Sequence, residues 1–374
     1  YEYKEDLLVP GWFELPMRKG ESVIFAAGIT ETDTAKLKTV WAKELKRRNA
    51  RTDMFACLKN SAAQFYKREG DKCYLLAGYP WYHAQARAAF FATPSCTLDI
   101  DRPEYWDAII DQTAVAEVRA FMAGQTDQVR MEGMDDPDVL LWFVRACQKY
   151  AHKYTVHEAA AKYGELCREI VEYYRRQNHP RAIVHQNGLI WVNGTERPAT
   201  WMSAVENGLW YNALKFTEEM QRDLGKEAVA DLLEYQAEIM RDSFIRTFWN
   251  GLYLDDYVVG DYHDKEVRPN QIWSAGLPYS PLDRKQMKAV VDICTKELLA
   301  PRGLRTLSPK SGNYRPFYVG GQLERDRNFH NGPIWPASIA AYARAYMTVY
   351  KRSGLSFMER LLVGYEREMS ELCI

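Results

Sequence analysis

The stretch Arg197-Pro-Ala-Thr-Trp-Met-Ser-Ala-Val-Glu-Asn-Gly-Leu-Trp-Tyr-Asn-Ala-Leu214 runs from a loop into a helix. It sets Trp201, Glu206, Trp210 and Asn212 close together at the junction. Flat apolar rings beside hydrogen-bonding groups suit the two faces of a sugar ring. The same residues also read as an amphipathic helix entry whose aromatics belong to the core. The surrounding chain decides between the two.

Outward from this stretch, helix follows helix. Glu31-Thr-Asp-Thr opens the first, with Leu37, Val40, Trp41 and Leu45 on one face. Further helices are expected over 52–68, 84–98, 104–123, 136–151, 157–177, 206–223, 226–248, 283–299, 332–352 and 355–372. Short and long loops alternate between them, which suggests paired helices closed into a toroid. With about twelve helices, an (α/α)6 barrel is the economical closure: six inner helices share one core and six outer ones cover it. An open solenoid would show an even repeat, and the chain has none. Residues 1–30 read differently. Glu21-Ser-Val-Ile-Phe-Ala-Ala-Gly-Ile has the pattern of a buried β-strand, expected as the end of an upstream β-sandwich domain, with the barrel over 31–374.

The composition narrows the function. Of 374 residues, 47% are hydrophobic and 26% charged, as in a globular protein. A formal net charge of −1 leaves no basic excess for nucleic acid or a membrane surface. Seven scattered cysteines without CxxC pairs read as thiols of a reducing, cytoplasmic compartment, not as metal ligands. No metal or cofactor motif occurs, and no phosphate loop or nucleophile elbow. Trp 11 and Tyr 24 make the chain rich in rings with a polar handle.

Those rings gather in the long loops 72–84, 124–135, 177–203, 250–270 and 300–331, which a toroid brings to one end. Trp81, Tyr82 and Arg87 offer a stacking platform and a hydrogen-bond fork. Glu132, Asp135, Asp136 and Asp138 stand at a helix N-terminus, where carboxylates commonly cap, and Trp142 follows one turn on. Arg268, Asn270 and Gln271 precede an apolar segment, and amides are costly to bury unless something uses them. Asp326, His330 and Trp335 cluster before a later helix. Carboxylates and aromatics in a helical cleft point to glycoside hydrolysis, which needs an acid and a base.

The motifs Gly78-Tyr-Pro-Trp81, Asp136-Pro-Asp-Val-Leu-Leu-Trp142, Thr200-Trp-Met, Val205-Glu-Asn-Gly-Leu-Trp-Tyr-Asn-Ala-Leu214, Arg268-Pro-Asn-Gln271, Gly303-Leu-Arg-Thr-Leu-Ser-Pro309 and Arg325-Asp-Arg-Asn-Phe-His-Asn-Gly occur in this order, with Trp335-Pro336 after them. Together they resemble the glucosidase domain of glycogen debranching enzymes, the amylo-α-1,6-glucosidases, a group similar to glucoamylases with an (α/α)6 barrel. The resemblance implies an inverting glycoside hydrolase without cofactor or metal, acting on α-1,6-linked glucose stubs of a branched α-glucan. It implies sugar contacts from Trp81, Arg87, Asp136, Trp201, Trp210, Asn212, Arg268, Asn270, Gln271, Asp326, His330 and Trp335. Three departures stand out. Ser203 occupies the position of the family's general acid, Ala204 runs straight into Val205 where relatives carry a longer loop, and Ala88 follows Arg87 in place of aspartate. Glu206 is the nearest carboxylate to Ser203 and is taken as the catalytic candidate. The base is expected beyond Ile374, so the barrel is expected to lack its C-terminal end. A glucan-binding domain without hydrolysis is the alternative, and a helical protein-binding scaffold the third reading.

Overall fold

The computed structural model describes residues 11–28, 31–48, 50–78, 82–193 and 200–371. Trp81 and Arg197 lie outside them. The chain is mainly helical. In order, the longer helices are α1 (Leu37–Arg47), α2 (Met54–Ala62), α3 (Ala86–Thr97), α4 (Pro103–Trp106), α5 (Val115–Met122), α6 (Val139–Lys153), α7 (Val156–Arg175), α8 (Ala204–Asp223) and α9 (Glu227–Phe248). They continue with α10 (Asn270–Gly276), α11 (Arg284–Glu297), α12 (Gln322–Phe329), α13 (Ser338–Tyr350) and α14 (Leu355–Glu371). No described helix is long and apolar enough to cross a membrane.

Five helices pack in succession, α3 on α6, α6 on α8, α8 on α10 and α10 on α13. A second layer covers them: α7 lies against α6 and α8, α9 against α8, and α11 against α10 and α13. This is the two-layer arrangement of an (α/α)n toroid, although the described helices do not close into a complete barrel. Inner position shows in the residues. Helix α8 buries Leu209, Trp210, Leu214, Phe216 and Met220 around its circumference, each worth roughly 1.5–3 kcal/mol of burial.

Local chemistry sets the helix starts. Ser203 Oγ accepts from Glu206 N (3.3 Å) at the head of α8, and Thr155 Oγ1 from Glu158 N (3.1 Å) at the head of α7. Asp283 and Gln286 form a reciprocal capping box on α11.

Four departures from the expected elements have physical reasons. Residues 21–28 pair with no strand, and Val23 (50%) and Phe25 (64%) stand exposed. A strand needs hydrogen-bonding partners, and the described residues supply none there. Helix α12 lies where a loop was expected, and α10 in the apolar segment after Arg268 to which no helix was assigned, since seven or eight residues are too few for a periodic signal. The span 332–352 begins instead as a two-residue strand, Ile334–Trp335, and becomes helical at Ser338. The span 104–123 is broken by a π-helical segment over Asp107–Ala114. There Thr113 Oγ1 donates to Ala108 O (2.9 Å) and accepts from Cys73 N (3.0 Å).

Small antiparallel sheets edge the helix ends. Met202–Ser203 pairs with Tyr257–Val259, which pairs in turn with Tyr262–His263, in the register Ser203↔Tyr257 and Val258↔His263. This sheet holds the residues before α8 beside the loop before α10.

Candidate active site

Helices α3, α6, α8, α10 and α13 all turn their N-termini towards one cleft of about 720 Å³. The cleft lining runs through Arg87 on α3, Asp138 before α6, Glu206 on α8, Asn270 on α10 and Ser338 on α13. Below them, Phe91, Trp142 and Trp273 meet edge to face at 5.3, 5.4 and 5.7 Å between centroids. These rings form an apolar floor. Trp201, Tyr257 and Trp335 contribute walls.

Arg87 is held in a fork by Asp138: Nε donates to Oδ2 (2.9 Å) and Nη2 to Oδ1 (2.7 Å). Asp138 accepts a third bond from Trp142 Nε1 (2.9 Å), one turn along α6. On the other side of the cleft, Asp256 Oδ1 accepts from Asn270 Nδ2 (2.8 Å), with Arg268 Nε 4.0 Å from its second oxygen. Arg268 donates to His330 O (2.6 Å) and Asn331 Oδ1 (3.0 Å), tying the loop before α10 to the loop after α12.

Glu206 differs from the other cleft carboxylates. Its Oε2 is sealed from solvent and has no hydrogen-bond partner among the described residues. Burial, then the nearby Asp138 charge, pushes its carboxyl up to about 8, although its own backbone N–H and Arg87 act the other way. The sequence alone argues the reverse sign, because a first-turn glutamate is favoured as the anion by the helix dipole. In the fold, desolvation and the like charge outweigh the dipole.

Of the residues singled out in the sequence, Arg87, Trp201, Glu206, Arg268, Asn270, His330 and Trp335 line this cleft. Asp136 stands behind it, paired with Arg87 Nη2 (3.0 Å) and with Arg181. Trp210 is not at the cleft. It is buried, donates from Nε1 to Gly188 O (3.0 Å) and edges a separate cavity of about 280 Å³ beside Arg175 and His185. Asn212 is also buried, donating to Gln148 Oε1 (3.0 Å) and accepting from Tyr279 N (3.2 Å). Gln271 props the cleft from below, donating to Arg268 O (3.2 Å). Asp326 lies exposed on α12 and accepts from Gln322 Nε2 (2.6 Å).

The sequence reading passed over Asp138 for Asp136 and missed Asp256, Asp264, Tyr257, Phe91 and Trp273. For Asp138 a signal existed: its four-residue spacing to Trp142 puts both on one helix face. Asp256 carried no such signal, since its neighbours come from distant loops.

A family model described as amylo-alpha-1,6-glucosidase matches residues 59–374. The glycogen debranching enzyme of Saccharomyces cerevisiae (strain ATCC 204508 / S288c) is 27% identical over a 203-residue alignment covering 42% of this chain and 13% of the yeast protein. A solved structure described as a sialidase superposes with a TM-score of 0.63 at 18% identity, over 84% of this chain and 29% of that one. That last likeness is one of fold.

Proposed function

Since the chain belongs to the amylo-alpha-1,6-glucosidase family, we propose that its cleft removes α-1,6-linked glucose stubs from a branched α-glucan, with inversion at the anomeric carbon. Membership supports a glycoside hydrolase of the glycogen debranching type. The linkage, the stereochemistry and the residue roles are our reading.

The observation that carries it is Glu206. A carboxyl pushed up to about 8 holds its proton at neutral pH, as a general acid must. In this reading Glu206 protonates the glycosidic oxygen as the bond to the anomeric carbon breaks. The aromatic walls stack on the sugar faces, and Arg87, Asn270 and Arg268 present donors to its hydroxyls. Asp138 and Asp256 are engaged by Arg87 and Asn270, so they position groups and do not activate water. A separate carboxylate, about 6.5–9.5 Å from the acid, fills that role in an inverting enzyme.

A binding-only reading rests on Ser203. Its hydroxyl stands where the family resemblance puts the acid, and it is occupied in capping α8. One experiment separates the two: the complete protein is assayed for glucose release from a branched limit dextrin and from α-glucosyl fluoride, whose leaving group needs little protonation. We expect both substrates to be cleaved, with Glu206→Gln lowering the dextrin rate by about 10²–10⁴-fold while largely sparing the fluoride. An equal loss on both would remove Glu206 as the acid. Maltooligosaccharide binding without glucose release from either substrate would leave the cleft a binding site alone.

A further inference from the structure

The wall of the cleft between α8 and α10 is built by an irregular strand pairing. Asp264 O accepts from Asp256 N (2.8 Å), while Asp264 N donates to Tyr257 O (2.9 Å). Two residues of one strand thus oppose a single residue of the next, as in a β-bulge. Consecutive side chains of a regular strand point to opposite faces. Here Asp256, Tyr257 and Asp264 all line the cleft. The loop after Asp264 is pinned at three points. Tyr253 Oη donates to Lys265 O (2.9 Å), Ser311 Oγ to Glu266 Oε1 (2.8 Å) and Ser308 N to Val267 O (3.0 Å). A side chain carried on such a segment is held in place before any ligand arrives.

The other carboxyls of the cleft are engaged. Both oxygens of Asp138 accept from Arg87, and one of them also from Trp142 Nε1. Asp256 accepts from Asn270 Nδ2, and Glu206, as the acid, holds a proton. Asp264 differs. Its Oδ1 accepts from Glu266 N (2.9 Å), two residues on, which fixes the plane of the carboxyl. Among the described residues its Oδ2 has no hydrogen bond, yet it is not sealed from solvent as Glu206 Oε2 is. Asp264 is otherwise buried, at 5% exposure, and its opening is onto the cleft. It stands on the side of α8 and α10, and each of these has an inner helix packed on both sides.

We propose that Asp264 Oδ2 accepts hydrogen bonds from two hydroxyls on neighbouring carbons of the bound glucosyl residue, making Asp264 a specificity-determining residue of the cleft. One carboxylate oxygen has two lone pairs, enough for both hydroxyls. Arg87, Asn270 and Arg268 donate, so an acceptor among them is what a hydroxyl needs in order to bond in both directions. A site built to bond a hydroxyl rejects the analogue that lacks it, because its own polar atom is left unpaired. This role rests on the reading of the cleft as a glucosidase site.

The test compares α-D-glucosyl fluoride with each of its monodeoxy analogues on the complete protein, in the parent and in Asp264→Asn. In that variant the remaining oxygen stays on Glu266 N, and an amide N–H takes the place of Oδ2. An acceptor becomes a donor with little change of shape. Corrected for spontaneous hydrolysis, kcat/KM of the parent should fall at least about tenfold on two analogues deoxygenated at neighbouring carbons. Asp264→Asn should lose about 10–100-fold on the full fluoride, chiefly through KM, and should no longer discriminate against those two. Asp264→Ser keeps a hydroxyl for Glu266 N without a second oxygen, and should behave alike if the asparagine variant does not fold. A parent that treats all the analogues alike overturns the role, as does a variant that keeps the parent's discrimination. A fall in kcat with KM unchanged also overturns it, and would make Asp264 the group that activates water. If the parent cleaves no fluoride, the hydrolase reading fails, and calorimetric affinities for the same series test Asp264 by the same pattern. A parent that binds none of them overturns both.

Discussion

Glu206 enters α8 in its first turn, beside Ser203 and opposite the Arg87–Asp138 fork, and its proton is the most informative in the molecule. Its carboxyl titrates near 8 in the fold against an ordinary 4.5. Because the folded value is raised, its contribution to stability is complete below pH 4.5 and is lost as pH rises through 8. Glu206→Gln should therefore melt above the parent at pH 9, with the difference closing towards pH 4.5 in a thermal-melt series. If Glu206 is the acid, the rate on branched glucan should fall along an alkaline limb near pH 8. Asp138→Asn removes the second-ranked cause of the upward shift, so that limb should move down by about one pH unit. A limb that stays in place would detach Asp138 from Glu206.

Helix α10 shows how tightly the elements behind the cleft are packed. A Cβ at Gly276 would lie 2.5 Å from Ala341 O on α13, and one at Gly208 of α8 would lie 2.4 Å from Ser274 Oγ on α10. Ser274 Oγ is itself committed to Ala204 O (2.6 Å). These small residues let α8, α10 and α13 approach closely enough to align their N-termini. Gly276→Ala meets backbone, which cannot rotate away, and should cost about 1–3 kcal/mol by urea unfolding. Gly208→Ala meets the Cβ (2.9 Å) and Cα (3.2 Å) of Ser274 as well as its hydroxyl, so turning the hydroxyl aside gives no relief and the cost should be similar. The sequence made the long helices readable because their apolar faces repeat over many turns. It hid α10, whose seven residues carry no period and whose place is set by these two contacts.

Across the whole molecule, fold class was the most legible property, and the division of aromatics between core and cleft the least. Both readings of the opening stretch hold, at different residues. Trp201 lines the cleft wall, while Trp210, nine residues later, packs away from it. No periodic rule separates them, since Trp201 precedes the helix and its direction is set by pairing with Val192. Trp210→Ala should thus cost about 3–5 kcal/mol of stability and leave maltooligosaccharide affinity nearly unchanged in the fraction that folds. Trp201→Ala should reduce both, because its ring is buried in the wall as well as turned to the cleft. Calorimetric titration beside a thermal melt measures the two effects separately.

The π-helical segment at Asp107–Ala114 has a consequence for inheritance. Its wider turns accommodate a residue that an α-helix of the same length would not, so the segment can absorb a change in length that the α-helix after it cannot. Loss of one codon just after it, at Val115 or Ala116 in the ordinary α-helix, has no wide turn to absorb it and would turn everything downstream by about 100°. Glu117 would then swing away from Tyr74 Oη (2.8 Å) and Lys72 Nζ (3.1 Å), leaving a buried carboxylate stranded. Descendants of this chain can therefore shed a residue from the π-helical segment more readily than from the helix that follows it.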